Sequence, residues 1–256
     1  MKLAAAYTVF NGTELLAGSI EQIIDHVDVV LICFQNTSNK GEHNPDLEKT
    51  LAKVLPNTHK LEFLHFSPNL EFDTKTNELN KHNEMKAHLN ELECTHFVVM
   101  ACDHYYKGES FLEAKKTALE GDYDVTFSEM YTYYKRQNWR LDPIEDYMMP
   151  FIIKLHPAGM FRRSANYPQR VDPSVKWFPC EHHYTFKRNE LMLHHLSMVR
   201  VDVENKFRNA AASVNWSPER VKQFISEYEN AQPGDSISYF KGRNIVEVVP
   251  PFEINL

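Results

Sequence analysis

Short apolar runs alternate with amphipathic stretches through the first 130 residues, and this alternation restricts the fold more than any other feature. The runs comprise residues 3–10, 28–34, 61–66, 96–101 and 124–130. Residues 29–32 are apolar on both faces, which is typical of a strand in a parallel sheet covered on both sides. Leu16, Ile20 and Ile23 share one face of an intervening helix. The pattern predicts an α/β fold with a mostly parallel sheet flanked by helices and right-handed crossovers.

Two local signals predict where helices begin. Ser110 and Glu113 have the spacing of a capping box, with Gly121 just past the predicted end. Ser217 followed by Pro218 predicts an N-cap and a first helical residue.

The alternation stops after Met130. Residues 131–134, 151–155 and 191–201 have strand character, while six prolines between positions 143 and 179 interrupt the intervals. We therefore expect an antiparallel C-terminal extension with long loops, which is where binding residues usually lie. No linker or repeat divides the 256 residues, so we expect one domain.

Composition narrows the class of protein. No apolar run reaches the ~18 residues of a membrane helix, and the N-terminus lacks the pattern of a secretory signal. Four cysteines without a C-x-x-C pair indicate reduced thiols, so a cytoplasmic protein is expected. The net charge of −7 is uneven: residues 1–130 carry −10, residues 131–220 carry +5, and all ten arginines follow residue 130. A basic second half could face an anionic ligand; an unevenly charged solvated surface is the alternative.

The carboxyl ends of the predicted strands are the expected ligand-binding edge. This rule selects residues 7–12, 33–36 and 100–106, of which the last ends in Asp103, His104, Tyr105 and Tyr106. An aspartate at this edge can hold a divalent cation through its hard oxygen atoms. The alternative is an aspartate that caps a turn or a helix.

Three segments together resemble GT-A glycosyltransferases, especially family-two-like enzymes, including phage-encoded members. Residues 5–12 resemble the first strand of the family, whose end cradles the nucleotide base. Lys81-His82-Asn83 stands where the family has an Ala-Arg-Asn tripeptide on a helix. Residues 94–103 resemble the apolar strand that leads into the Asp-x-Asp motif. The resemblance implies a nucleotide-sugar donor held by residues 1–130, an acceptor side in residues 131–256, and a divalent metal, Mn²⁺ or Mg²⁺.

The resemblance, together with the charge of Arg200 and the amide of Gln35, predicts six donor-binding residues. They are Tyr7, Thr8, Asn11, Gln35, Lys81 and Arg200. The match is incomplete at two places. Ala101-Cys102-Asp103 retains only the second acid of Asp-x-Asp, and amides replace acids after the second strand, where Gln35 can still hydrogen-bond a base.

Asp103 and a late histidine are the metal ligands that the resemblance implies. His194 and His195 lie in a predicted strand, so only one of them can face the site. We prefer His195, which shares a face with Ser197 and leaves Leu196 in the core. A zinc site of His182, His183 and His195 lacks the usual ligand spacing, and two ordinary strand histidines are the further alternative.

The negative charge of a departing nucleoside diphosphate must be neutralised by a metal or by cations. With one metal-binding acid missing, Arg200 could carry part of this charge; a solvated basic strand edge is the alternative. An inverting transferase also needs a carboxylate that accepts the proton of the acceptor hydroxyl. Glu145 and Asp146 resemble the pair that serves as catalytic base. Glu129, Glu181 and a plain polar turn are the alternatives, and a retaining mechanism would need no such base.

The sequence therefore predicts a glycosyltransferase, hexosyl- or pentosyl-transferring, that uses a nucleotide sugar and an acceptor that the sequence does not name. A glycan, a small molecule and modified DNA are the candidate acceptors, and no membrane partner is expected. A catalytically inactive nucleotide- or glycan-binding protein of the same fold is the alternative. A nucleotidyltransferase is a third interpretation, although no glycine-rich phosphate loop is present among only eight glycines.

Overall fold

The structure is a computed structural model that describes residues 1–164, 166–210 and 216–254. The strands are β1 Leu3–Val9, β2 Val29–Phe34, β3 Leu61–His65, β4 His96–Ala101, β5 His104–Tyr105, β6 Val125–Tyr134, β7 Trp139–Asp142, β8 Met149–Lys154, β9 Met160–Phe161, β10 Trp177–Phe178, β11 His183–Thr185, β12 Met192–Met198, β13 Ser236–Ile237 and β14 Arg243–Glu247. The helices are α1 Leu16–Ile23, α2 Leu47–Val54, α3 Thr74–Glu91, α4 Gly108–Glu120, α5 Val203–Asn209 and α6 Pro218–Asn230. Short 3₁₀ helices cover Thr13–Leu15, Ile24–His26, Pro173–Val175 and Ser238–Phe240.

One sheet organises the molecule, and its strands run in the order β13-β14-β7-β6-β8-β4-β1-β2-β3. The four strands β3, β2, β1 and β4 are mutually parallel. β8 lies antiparallel between β4 and β6, and β7, β14 and β13 continue the sheet antiparallel. The α/β class with a parallel central sheet and an antiparallel extension is confirmed.

Each face of the central sheet has its own apolar core. One core packs α1 and α4 against residues such as Tyr7 and Ile32. The other packs α3 and the β9–β10 hairpin against residues such as Leu31 and Phe97. The strands β1 and β2 are buried on both faces because helices cover both sides, which explains their continuous apolar sequence.

Two helix signals had different outcomes. Ser217 caps α6 by accepting a hydrogen bond from the backbone N–H of Arg220, as predicted. The capping box at Ser110 is wrong, because α4 begins at Gly108 after Lys107, which provides no side-chain cap. This helix buries Phe111, and the backbone N–H of Phe111 already donates to the carbonyl of Lys107, so Ser110 lies within the first turn.

In the second half of the chain, the strands differ from those that the sequence predicts. Residues 131–134 continue the preceding run as a single strand, β6, and β7 and β14 were not predicted. Among the described residues, none of the helices combines the length and apolar character that a membrane span requires.

The strand register brings three chain segments to one edge. Thr8 of β1 is paired with Cys33 of β2 and with Ala101 of β4, so the carboxyl ends of all three strands meet. The end of β12 reaches the same region because it pairs antiparallel with β5, which places His195 opposite His104.

The second core depends on Trp177, whose side chain is fully buried in edge-to-face contact with Phe97 and Phe161. We expect Trp177→Ala to lower the free energy of unfolding by about 3–5 kcal/mol, because the cavity cannot be filled by the short β9–β10 hairpin. Urea unfolding followed by circular dichroism measures the change. Phe63→Ala, at a half-exposed position of the edge strand β3, is the control. An equal loss in both variants would contradict this assignment of the core.

Candidate functional site

A cleft of about 430 Å³ lies at the carboxyl ends of β1, β2 and β4. Its walls come from both halves of the chain, with Thr8, Gln35 and Asp103 from the first half and Ser197 and Lys206 from the second. Ligands in open α/β sheets bind at this edge, because the chain leaves each strand here and loops can provide polar groups. The cleft is therefore the candidate functional site.

Asp103 is the centre of a buried ion cluster. Its backbone carbonyl accepts a hydrogen bond from the N–H of Leu196 at 2.8 Å, which fixes it against β12. Its Oδ2 atom accepts from Nη2 of Arg200 and from Nζ of Lys206, the latter at 3.1 Å. The side chains of Asp103 and Arg200 are each only 3% exposed. One carboxylate thus holds a buried guanidinium and a partly exposed ammonium group.

Electrostatics keep this carboxylate ionised. Burial raises the pKa of Asp103, but the charges of Lys206 and Arg200 outweigh burial and hold it well below its ordinary value. Burial also lowers the pKa of Lys206, and the charge of Asp103 opposes that shift. The carboxylate therefore stabilises both cations, whereas the charge of Arg200 lowers the pKa of Lys206 further.

Gly12 makes room for Arg200. Its φ of 75° is in the left-handed region that favours glycine, and a Cβ atom there would overlap Nη1 of the guanidinium. Nε of Arg200 donates to the carbonyl of Ser197 at 3.1 Å. Nη1 is buried and has no hydrogen-bond partner among the described residues. The guanidinium is thus held in place with its Nη1 amino group unused by the described residues.

Asp103, His104 and His195 form a group that could hold a metal ion, since their nearest ligand atoms all lie within 4.8 Å of one another. Burial lowers the pKa of His104 to about 4 and that of His195 to about 3, so both rings are neutral at pH 7. His104, rather than the predicted alternatives His182 and His183, accompanies His195 in this group.

The ligand atoms of Asp103, His104 and His195 are near enough to one another to hold a divalent ion. The charges around them do not suit such an ion. Oδ2 of the only carboxylate is already occupied by two cations, and Nε2 of His195 lies 3.8 Å from Oδ1. Nδ1 of His104 and of His195 has no hydrogen-bond partner in the described part of the chain, although metal-binding histidines normally donate this second N–H to an acceptor. A divalent ion here would lie beside Arg200 and Lys206 with a single negative charge to offset all three.

The opposite end of the cleft contains amides and one ion pair. Nζ of Lys81 donates to Oε1 of Gln35 at 3.1 Å and to Glu78 at 2.9 Å. Asn39 also donates to Glu78. These side chains come from the loop after β2 and from α3, and together they offer donors and acceptors in fixed positions.

The predicted donor-binding residues separate into two groups. Thr8, Asn11, Gln35, Lys81 and Arg200 line the cleft. Tyr7 does not, because successive side chains of β1 point to opposite faces; its ring is buried in the core and its hydroxyl lies 3.0 Å from Oγ of Ser19. His195 and Ser197 line the cleft, whereas Nδ1 of His194 is hydrogen-bonded to the hydroxyl of Tyr133.

Neither Glu145 nor Asp146 is among the described residues that line the cleft. Asp146 pairs with Arg170 and with Arg243 through different oxygen atoms, and Glu145 accepts from the hydroxyl of Thr132. Thr132 is opposite His195 in the β6–β12 register, so Glu145 is held at the strand beside the histidine strand. The other candidate Glu129 pairs with Arg188.

Sequence reasoning missed Asp172, and it did not single out Lys206 from the basic residues that follow the second histidine pair. Asp172 lines the cleft and caps the 3₁₀ helix Pro173–Val175 through Oδ1, which accepts from the backbone N–H and the hydroxyl of Ser174. Its sequence context, Val-Asp-Pro-Ser, signals only a cap. Lys206 lies on α5, in the helix that Asp202 caps, and nothing local indicates which way it points.

The buried neutral histidines make stability depend on pH. Burial lowers the folded-state pKa of His194 and His104 to about 4 and that of His195 to about 3, below the ~6.5 of an unfolded chain. The unfolded state therefore binds protons first, and the free energy of unfolding should fall as pH drops from about 6.5 to about 5, by up to about 1.4 kcal/mol per pH unit per histidine. Urea titrations at each pH measure the slope.

The variant His194→Gln should make that slope shallower, because it removes one of the five described histidines whose folded-state pKa is lowered, the others being His82, His96, His104 and His195. His59→Gln, at an exposed position, is the control. A slope that both variants leave unchanged would contradict the assignment to the buried rings.

Comparison with family models finds no match, and comparison with curated proteins finds none. Among solved structures, S. aureus TarS 1–349 aligns with a TM-score of 0.48 and 11% identity over 90% of this chain and 71% of that chain. The same protein in complex with UDP-GlcNAc gives 0.47 and 12% over 90% and 72%. Mannose-1-phosphate geranyltransferase from Thermus thermophilus gives 0.35 and 14% over 97% and 74%. Because all three TM-scores lie below 0.5, function has to be inferred from the cleft itself.

Proposed function

We propose that this protein is a glycosyltransferase that binds a nucleotide sugar in the cleft and transfers the sugar to an acceptor hydroxyl. The proposal rests on one observation, which is that the two ends of the cleft offer different chemical groups. One end offers fixed amide and lysine groups beside Phe10, and the other offers Arg200 and Lys206 around Asp103. A nucleoside diphosphate sugar has the same division, with a base at one end and a diphosphate further along.

The base end can distinguish a nucleobase by its hydrogen-bonding edge. Oε1 of Gln35 is fixed by Lys81, and Nε2 of Gln35 donates to the carbonyl of Thr37 at 2.8 Å. Ser38 and Asn39 complete this wall. Rigid amides of this kind favour a partner with matching donors and acceptors, because a mismatched base would leave buried polar groups unpaired.

The diphosphate end can stabilise the departing group. In the transfer, the bond between the anomeric carbon and the diphosphate oxygen breaks, and its electron pair stays on that oxygen. A bond forms between the anomeric carbon and the acceptor oxygen, which loses its proton to a base. Arg200 and Lys206 are held where they can meet the negative charge that develops on the diphosphate.

We assign the proton-accepting role to Asp172 rather than to Glu145 or Asp146. Asp172 lines the cleft, and its Oδ2 atom makes no hydrogen bond to the described residues, whereas Asp146 is neutralised by two arginines. A general base must come within hydrogen-bond reach of the proton that it removes. This role applies to an inverting transfer.

Several predictions from the sequence are more detailed than this proposal. The acceptor stays open among glycans, small molecules and modified DNA, and so does the choice between a hexose and a pentose. The resemblance also implied a Mn²⁺ or Mg²⁺ ion. The mechanism above does not use one, because Arg200 and Lys206 already contact the carboxylate of Asp103. Two experiments distinguish a transferase from a protein that binds the nucleotide sugar without transferring the sugar.

Thermal shift with a panel of nucleotide sugars tests the donor site. A donor at about one hundred times its Kd should raise the midpoint by about 5–10 °C, since binding adds about 2.7 kcal/mol to a chain of this size. In Lys81→Gln the shift should be largely lost, because Gln35 and Glu78 lose the group that positions them. Lys86→Gln, at a half-exposed position of the same helix α3 that does not line the cleft, should keep it. A panel in which no nucleotide sugar shifts the midpoint would overturn the proposal.

Asp172→Asn tests the base once a donor and an acceptor are found. Asparagine can still cap the 3₁₀ helix, so folding should be retained while kcat falls by about 10²–10⁴. Donor Kd, measured by calorimetry, should stay within about threefold of the unsubstituted protein. If Glu145→Gln or Asp146→Asn abolished turnover and Asp172→Asn did not, the base would be reassigned to the predicted pair. Donor binding with no transfer to any acceptor would favour the binding protein.

A further inference from the structure

The two cations on Asp103 occupy the place where the resemblance implies a metal. Both contact the same carboxylate oxygen, and the cluster is enclosed by Leu196 and Gly12. A divalent ion would have to displace Arg200 from a position in which its side chain is 3% exposed. Displacement would break the ion pair and leave a guanidinium without its carboxylate, which is strongly unfavourable in a buried site.

We infer that this protein neutralises the diphosphate of its donor with Arg200 and Lys206 in place of a divalent metal ion, and that Asp103 is their positioning residue. The inference rests on the proposed function. At this end of the cleft two cations contact one carboxylate, so the ion cluster carries an excess of one positive charge. A phosphate oxygen that enters here meets positive charge without any added ion.

Three features of the site support this assignment independently of charge. Arg200 lines the cleft, and its Nη1 amino group has no partner among the described residues. Lys206 is less enclosed, with 23% of its side chain exposed, so it can contact a ligand in the cleft while it stays on Asp103. His104, which a metal would need as its third ligand, is not among the described residues that line the cleft.

The missing first acid of the Asp-x-Asp pattern is consistent with the same inference. Ala101 stands at that position and lines the cleft as a small apolar side chain. A second carboxylate there would compete with the diphosphate for Arg200 and Lys206. Alanine leaves the two cations paired with one acid only, so that a positive charge remains for the ligand.

Calorimetry with UDP, GDP, CDP, ADP and dTDP tests the inference, each in EDTA and in an excess of Mn²⁺. We expect at least one nucleoside diphosphate to bind in EDTA with a Kd within about threefold of its value in Mn²⁺. Paramagnetic resonance of Mn²⁺ alone should show no loss of the free-ion signal on addition of protein. Binding that requires Mn²⁺ would overturn the inference and leave the proposed function standing. No binding in either buffer would overturn the proposed function.

Lys206→Gln provides the residue-level test, because it leaves Arg200 on Asp103 and so preserves the fold. In EDTA we expect the Kd of the nucleoside diphosphate to rise at least about tenfold, while the Kd of the matching nucleoside, which has no phosphate, is unchanged. Lys206→Arg should recover most of the affinity. Lys222→Gln, an exposed lysine on α6, is the control. An unchanged Kd in Lys206→Gln, or equal losses for nucleoside and diphosphate, would overturn the role of Lys206.

Discussion

The ion cluster of Asp103, Arg200 and Lys206 is the interaction on which the candidate site depends. It joins the end of β4 to the segment after β12 and to α5, parts of the chain about one hundred residues apart. A buried carboxylate costs free energy unless it is paired, and here two cations and a backbone contact to β12 pair and fix it. The cluster closes one end of the cleft and determines its charge.

The parallel half of the sheet explains why polar side chains lie together in the cleft. β1, β2 and β4 are almost wholly apolar along their length because helices cover both faces, so polar side chains appear only where the strands end. The register aligns those ends. Polar residues from the loop after β2, from α3 and from the end of β4 therefore meet at one edge, although they are distant in sequence.

Charge decides between two chemistries that the same geometry permits. The ligand atoms of Asp103, His104 and His195 are near enough for one ion, yet the only carboxylate among them is already paired with two cations. Distance alone would favour a metal site. The number of positive groups around a single acid favours direct binding of a phosphate, and Gly12 provides the space that the guanidinium needs.

The sequence by itself determined the α/β class, the parallel strands and the edge at which Asp103, Gln35 and Thr8 lie. These follow from local periodicity and from a general rule about strand ends. It also indicated that His195 and Ser197 share a face, because alternation along a strand is local. The tertiary structure alone decided that Asp146 is paired with two arginines, and that Lys206 and Asp172 reach the cleft. Those outcomes depend on how loops and α5 pack against the sheet, and contacts between residues so far apart in the chain leave no periodic signal in the sequence.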